Sequence, residues 1–165
     1  MHTITKTLEK AHTGLTIEAR AGIIERLNTL LADEHLLYTK TRNYHWNVTG
    51  IHFASLHAFF EEHYNRLQVM ADAIAERTRQ LGGTPIGTMA EFSQESRLSE
   101  NPGTVPAAKD MIANLLDDHE QIISTLRKDI DACTEEFGDE GTADLLTSTM
   151  GSHDEMAWML RAHLD

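Results

Sequence analysis

Hydrophobic side chains recur at steps of three and four residues along most of the chain, which places them on one face of an α-helix. Clusters rich in glycine, proline or small polar residues interrupt this pattern at 50, 82–83, 99–106 and 138–141. The pattern predicts four long helices and one short one, at about 17–47, 52–81, 89–95, 106–137 and 142–164. Thr16 is the predicted N-cap of the first. We therefore predict an all-α four-helix bundle with a short extra helix in the long crossover between the second and third long helices.

The chain length allows one compact domain. The 165 residues are enough for a single core, so we assign 16–165 to the bundle and 1–15, which lack clear periodicity, to a flexible N-terminal tail. No apolar run approaches the roughly 18 residues of a membrane span, and the N-terminus lacks the apolar stretch of a secretory signal. The single cysteine, Cys133, excludes an intrachain disulfide and fits a reducing compartment. We expect a cytoplasmic protein without membrane association.

Charge changes the picture of what the protein binds. Fourteen Lys and Arg stand against 26 Asp and Glu, giving a formal net charge of −12, which repels nucleic-acid phosphates and attracts cations. The chain also has 10 His, and imidazole together with carboxylate is a common ligand set for iron, zinc or manganese. Composition thus favours a metal ion over nucleic acid as a partner.

Two pairs of candidate metal ligands stand four residues apart on the second predicted helix, His57 with Glu61 and Asp72 with Glu76. At 100° per residue, these four positions share a stripe about 100° wide. The apolar positions of the same helix cluster on another side, more than about 90° away: Leu56, Phe60, Leu67, Ala71 and Ile74. The ligand stripe is therefore expected to face outward from the subunit.

Axial spacing separates the two pairs. Their midpoints, residues 59 and 74, lie about 22 Å apart along a helix, so one metal site cannot use both pairs of one chain. If a second copy of the helix packs antiparallel across a twofold axis near Leu67, each pair meets the complementary pair of the partner, forming two sites. His45 would add an imidazole beside His57, which gives a set suited to Fe(II) with open positions. The alternative is that these charged residues form only a solvated helix face.

Four motifs in this region and beyond it together resemble the Dps family (DNA-binding proteins from starved cells), the small ferritin-like shells. The motifs are His45-Trp46-Asn47, His57 twelve positions after His45, Asp72-x-x-x-Glu76-Arg77, and Leu81-Gly82-Gly83-x-Pro85. The resemblance extends from about residue 18 to residue 164. It implies a ferritin-like four-helix bundle with a short helix in the crossover. It also implies a twelve-subunit hollow shell with a di-iron ferroxidase centre shared across each twofold axis.

The resemblance also assigns ligands. By position, His45, His57 and Glu61 would come from one subunit and Asp72 and Glu76 from its neighbour, holding two iron ions, with zinc as a substitute metal. Glu61 stands where the family commonly has a shorter Asp. The implied chemistry is oxidation of Fe(II) by hydrogen peroxide, or more slowly by dioxygen, followed by storage of Fe(III) as mineral and protection against oxidative damage.

Four further residues have two interpretations each. Trp46 packs as a large apolar side chain at a helix end, or, as the family suggests, donates an electron to oxidants formed at the iron. Asp139, Glu140 and Asp144 lie near the start of the last predicted helix, where carboxylates favour the helix dipole. The resemblance instead places them at threefold pores, where three copies would concentrate cations.

The remaining histidines form no second spaced set, and we expect surface or satisfied core positions for them: His35, His52, His63, His119, His153 and His163. Two rival functions stay open. One is a nucleoid-associated DNA-binding protein, against which the acidic charge argues, so that DNA binding is expected to be weak or absent. The other is a metal-dependent hydrolase that activates water at the same site.

Overall fold

The fold is a bundle of long helices, seen in a computed structural model that describes residues 8–164. Within that range the secondary structure is helical, without strands: α1 (Ile17–Asn47), α2 (Phe53–Gln80), α3 (Met89–Glu95), α4 (Ala108–Asp131), a π-helical turn (Ala132–Glu136) and α5 (Glu140–Arg161). The predicted all-α bundle with a short helix in the crossover is confirmed.

Helix boundaries follow local capping. The Thr16 hydroxyl accepts a hydrogen bond from the Ala19 amide at 3.1 Å, so α1 begins where its N-cap predicts. Thr88 and Glu91 form a capping box that starts α3. These two helices match their predicted ranges, because each carries its own cap in the sequence.

The helix predicted at about 106–137 differs at its end. Its regular part stops at Asp131, and a π-helical turn follows, in which the Phe137 amide donates to the Ala132 carbonyl at 3.1 Å. Gly138 then takes a positive φ of 64°, which ends the helix at low steric cost. The wider turn lets Phe137 pack on the core side, where periodicity alone predicts an ordinary helical turn.

Packing places α1 along α2 and α4 along α5, while α3 covers part of α1. Long aliphatic and aromatic side chains from the four long helices fill the common interior, among them Leu27, Leu30, Leu31, Phe60, Leu67, Leu115, Ile122, Met156 and Leu160. The loop between α1 and α2 brings the end of α1 against the start of α2, and this junction carries the paired histidines described below.

Part of the predicted N-terminal tail is attached to the bundle. The Glu9 amide donates to the Gly82 carbonyl at 2.9 Å, and the buried Arg20 guanidinium donates to the Glu9 and Leu81 carbonyls, each at 3.0 Å. Gly82 has a φ of 82°, and a Cβ there would lie 3.0 Å from the Glu9 carbonyl oxygen, so the close approach favours glycine. Residues 1–7 of the predicted tail lie outside the described range.

No helix between residues 8 and 164 combines the length and apolar character that crossing a bilayer requires.

Candidate metal centre

The candidate ligands of α2 lie on the outer side of the subunit. Glu61, Asp72 and Glu76 are exposed and His57 is half-buried. The apolar stripe predicted for the same helix is buried in the bundle: Leu56, Phe60, Leu67, Ala71 and Ile74. The helix is continuous from Phe53 to Gln80, so both ligand pairs stand on one uninterrupted α-helix, as the helical-wheel argument assumes.

Two histidines form a pair at the junction of α1 and α2. The rings of His45 and His57 stack with centroids 3.7 Å apart and planes inclined by 21°. His45 Nδ1 lies 2.7 Å from the His57 carbonyl, and His57 Nδ1 lies 2.8 Å from the His45 carbonyl. Because a carbonyl only accepts, each Nδ1 must carry the proton. In the neutral rings both Nε2 atoms then hold a lone pair suited to a metal ion.

Aromatic side chains surround this pair. The Tyr64 ring meets His45 edge-on at 5.3 Å, and the Phe53 ring lies 5.2 Å from His57. The Tyr64 hydroxyl donates to Glu61 Oε1 at 3.4 Å. Partial removal from water, and secondly the Glu61 carboxylate, raise the pKa of Tyr64, so it stays a neutral donor. One half of the predicted site is thus ordered within a single subunit.

The other half lies apart from it. Asp72 and Glu76 follow on the same helix, about 22 Å along the axis from the first pair. Neither carboxylate makes a hydrogen bond or ion pair with any other described residue. Across residues 8–164, no three His, Cys, Asp or Glu side chains converge closely enough to hold a metal ion. One subunit therefore brings His45 and His57 into contact. Glu61 is connected to this pair only through Tyr64, and Asp72 and Glu76 lie apart from all three.

Trp46 is exposed beside the histidine pair. Its residue surface is 63% accessible, and the Arg42 guanidinium lies 5.2 Å from the indole centroid. Trp46 is therefore not packed as an apolar side chain within the subunit, because its indole ring lies on the solvent side of α1.

The acidic residues at the start of α5 have unequal surroundings. Asp139 is buried, caps α5 through the Thr142 amide at 3.1 Å, and takes two bonds from Arg77 Nη2 at 2.8 and 2.9 Å. Burial alone would raise the pKa of Asp139, but hydrogen bonds from Thr142 and Arg77 outweigh it and lower the pKa. Glu140 and Asp144 are exposed. Asp139 therefore has a structural partner, whereas the carboxylates of Glu140 and Asp144 contact no charged or hydrogen-bonding group in the described part of the chain.

Sequence reasoning missed one group of polar side chains. His63, His119 and His153 were expected to form no set, yet they meet in the interior of the bundle together with Glu34. Each lies on the apolar stripe of its own helix, which is an unusual place for an ionisable residue. The sequence shows that each histidine occupies an apolar stripe. It does not show that these stripes meet at one place in the bundle.

The family model, the related sequences and the solved structures that this chain matches all point to the same family. Residues 24–165 match the family model of the ferritin-like domain. An uncharacterized low temperature-induced protein of Nostoc sp. is 51% identical over 158 residues, which cover 96% of this chain and 88% of the relative. DpsC from Streptomyces coelicolor has a TM-score of 0.92 at 31% identity, with 96% of this chain and 92% of that chain covered.

A further solved structure, the Dps protein from Vibrio cholerae, has a TM-score of 0.88 at 30% identity, covering 94% of this chain and 97% of that one. That protein is described as a member of a broad superfamily of ferritin-like diiron-carboxylate proteins. The resemblance expected from the motifs is confirmed over nearly the whole chain: the protein belongs to the Dps family of ferritin-like mini-ferritins.

Proposed function

We propose that this protein is a ferroxidase that oxidises Fe(II) and stores Fe(III) as mineral inside a shell of twelve subunits. Iron is its substrate and cargo. The observation that carries the proposal is the histidine pair, in which reciprocal Nδ1 bonds of His45 and His57 leave both Nε2 atoms available. Membership in the Dps family, together with the diiron-carboxylate description of the Vibrio cholerae relative, favours iron as the ion bound there.

The proposed centre takes ligands from two subunits. His45, His57 and Glu61 would come from one, and Asp72 and Glu76 from a neighbour related by a twofold axis, with zinc able to occupy the same ligands. The axial gap on α2 supports this arrangement, as does the freedom of Asp72 and Glu76 from partners in the described part of the chain. Large apolar side chains left exposed near this side include Trp46, Ile51, Phe53 and Val69, a composition suited to burial against a second subunit.

The ligand set fits oxidation better than hydrolysis. Neutral imidazole and ionised carboxylates bind Fe(II) and tolerate the higher charge of Fe(III), and the open positions admit an oxidant. Two Fe(II) ions each give one electron to a peroxide molecule, which takes up two protons and leaves as two waters. With dioxygen the same ions are oxidised more slowly.

DNA compaction is a weaker candidate. Twelve copies of a subunit with a net charge of −12 repel phosphate strongly, and the basic residues of the N-terminal region include only Lys6 and Lys10. We therefore expect protection of the cell to act through removal of Fe(II) and its oxidant, with weak or absent DNA binding.

Addition of Fe(II) and hydrogen peroxide to the metal-free shell tests the proposal. We expect rapid growth of the ferric absorbance, with the iron remaining soluble and co-eluting with the protein. Dioxygen in place of peroxide should give the same product more slowly. Iron that precipitates at the protein-free rate with either oxidant would refute the ferroxidase function.

A pore at the start of α5 gives a separate prediction. Asp144→Asn should slow iron entry severalfold without dissociating the shell, because three copies around a channel lose three exposed charges at nearly constant shape. Stopped-flow oxidation at low ionic strength measures the effect, which should shrink as salt is added. Asp110→Asn, the same change at an exposed position in the first turn of α4, is the matched control. Equal rates for the unaltered protein and both variants would mean that this acidic cluster only caps the helix.

A further inference from the structure

The interior of the bundle contains four fully buried ionisable side chains, one from each long helix. They are Glu34 of α1, His63 of α2, His119 of α4 and His153 of α5, each with 0% accessible surface. Leu30, Leu67, Leu115 and Leu160 are among the apolar side chains that share this core. Polar groups removed from water in this way are costly unless they find partners.

Three of the four side chains form a hydrogen-bonded row. His153 Nε2 lies 2.7 Å from Glu34 Oε1, and His153 Nδ1 lies 2.8 Å from His119 Nδ1. With Nε2–H donating to the carboxylate, neutral His153 keeps a lone pair on Nδ1, which accepts from the Nδ1–H of His119. The Glu34 carboxylate thereby orients the His153 ring.

Several polar atoms at this place have no partner. Glu34 Oε2, His119 Nε2 and both ring nitrogens of His63 are buried without a hydrogen bond to any described residue. Burial, and secondly the Arg66 charge, lower the pKa of His63 to about 4, and burial together with His153 lowers the pKa of His119, so these rings are neutral at neutral pH. Buried groups of this kind are ordinarily satisfied by a water molecule or an ion.

From this geometry we infer a second metal site, in which His63, His119 and His153 bind one divalent transition-metal ion of the Zn(II) or Fe(II) class inside the bundle. Metal-bound histidines commonly donate their other ring N–H to a carboxylate, which is the relation of His153 to Glu34. The site is distinct from the intersubunit centre, because every ligand comes from one subunit and none is shared.

Ring spacing supports three ligands on one ion. The centroids of His119 and His153 lie 5.0 Å apart, and those of His63 and His119 lie 6.0 Å apart. A tetrahedral ion bound at about 2.0–2.1 Å separates neighbouring imidazole centroids by about 5 Å. The three rings do not yet converge on one point. Binding through these two Nδ1 atoms requires their hydrogen bond to open by about half an ångström and the His119 proton to move from Nδ1 to Nε2. The His63 ring must also rotate toward the ion.

Cobalt gives a direct readout, because a four-coordinate Co(II) ion bound by histidines absorbs visible light far more strongly than a six-coordinate one. The protein is expressed in cobalt-supplemented medium, so that the ion is present during folding. The double variant His57→Ala and Asp72→Ala serves as background, which removes proposed ligands of the intersubunit centre. We expect about one four-coordinate cobalt ion per subunit. The additional change His119→Leu should abolish the band, and His52→Leu, at an exposed position, should keep it.

Diffraction tests the same site without any substitution. Crystals of the unaltered protein grown from zinc-loaded material should show an anomalous zinc peak among the rings of His63, His119 and His153. A water molecule or empty density at that place would overturn the proposal, as would a cobalt band that persists in the His119→Leu protein. Fe(II) oxidation by the unaltered shell is measured separately, so failure here leaves the proposed ferroxidase function standing.

Discussion

Shells built only from the His57→Ala variant, or only from the Asp72→Ala variant, are expected to lose fast Fe(II) oxidation by at least about tenfold. The reason is that each centre needs the histidine pair of one subunit and the carboxylates of its neighbour. In a shell with a single kind of subunit, either change damages every centre. Stopped-flow measurement of ferric absorbance at equal shell concentration gives the comparison.

Co-expression of the two variants should restore part of the activity. A mixed twofold pair places the intact His57 and Glu61 of one subunit opposite the intact Asp72 and Glu76 of the other, which completes one centre and leaves the second doubly damaged. Random assembly makes about half of all pairs mixed, so the expected ceiling is roughly a quarter of the unaltered rate if centres act independently.

A matched control uses two changes on the same half of the centre. Shells that mix His57→Ala with Glu61→Ala subunits should stay inactive, because no pairing supplies an intact His57 and Glu61 together. Mass spectrometry of separately tagged subunits verifies mixing in both experiments. Verified mixed shells of the first kind that remain as inactive as either parent would refute the intersubunit centre and leave the stripe on α2 as a solvated face.

The part of this centre that lies on one helix was predictable, and the part that crosses elements was not. On α2, the direction that a residue faces and its distance along the axis depend only on the helical repeat. Periodicity alone therefore places Asp72 and Glu76 away from the core side. The sequence also suggests that His45 comes near His57. The reciprocal bonds between each ring and the other residue's carbonyl depend on the exact turn between α1 and α2, which no local pattern encodes.

The same distinction applies to the fold. The start of α1 was predictable from its N-cap at Thr16, and α3 occupies its predicted range. The π-helical turn before Phe137 was not, because it depends on how that ring reaches the core. The buried meeting of His63 and His119 escaped prediction for a similar reason, since a helical wheel gives the direction of a side chain but not the helix that it faces.

The crossover is attached to the bundle through one buried carboxylate. Asp33 of α1, only 1% exposed, accepts from the Ser96 hydroxyl at 2.9 Å, from the Arg97 amide at 2.7 Å and from Arg97 Nε at 2.7 Å. The Arg97 guanidinium also lies 3.8 Å from Asp129 of α4, which pairs with Arg26 of α1 at 2.9 Å. This network links the end of α3 to both α1 and α4.

Asp33→Ala should therefore lower the free energy of unfolding by about 3 kcal/mol, because it leaves two backbone or hydroxyl donors and a guanidinium without their shared acceptor. For a chain of this size that corresponds to a fall in Tm of about 6–12 °C, measured by thermal unfolding at fixed protein concentration. Asp131→Ala, an exposed position near the end of α4, should change Tm little.

Asp33→Asn distinguishes charge from shape in this network. The amide keeps one acceptor for Ser96 and the Arg97 amide but turns an NH2 group toward the Arg97 guanidinium, so most of the loss should remain. Because Asp33 makes no contact with the histidine pair, both variants should oxidise Fe(II) at the unaltered rate well below their Tm. Full stability of Asp33→Asn would show that shape alone holds the crossover, whereas lost oxidation in a folded shell would mean that the crossover positions the metal ligands.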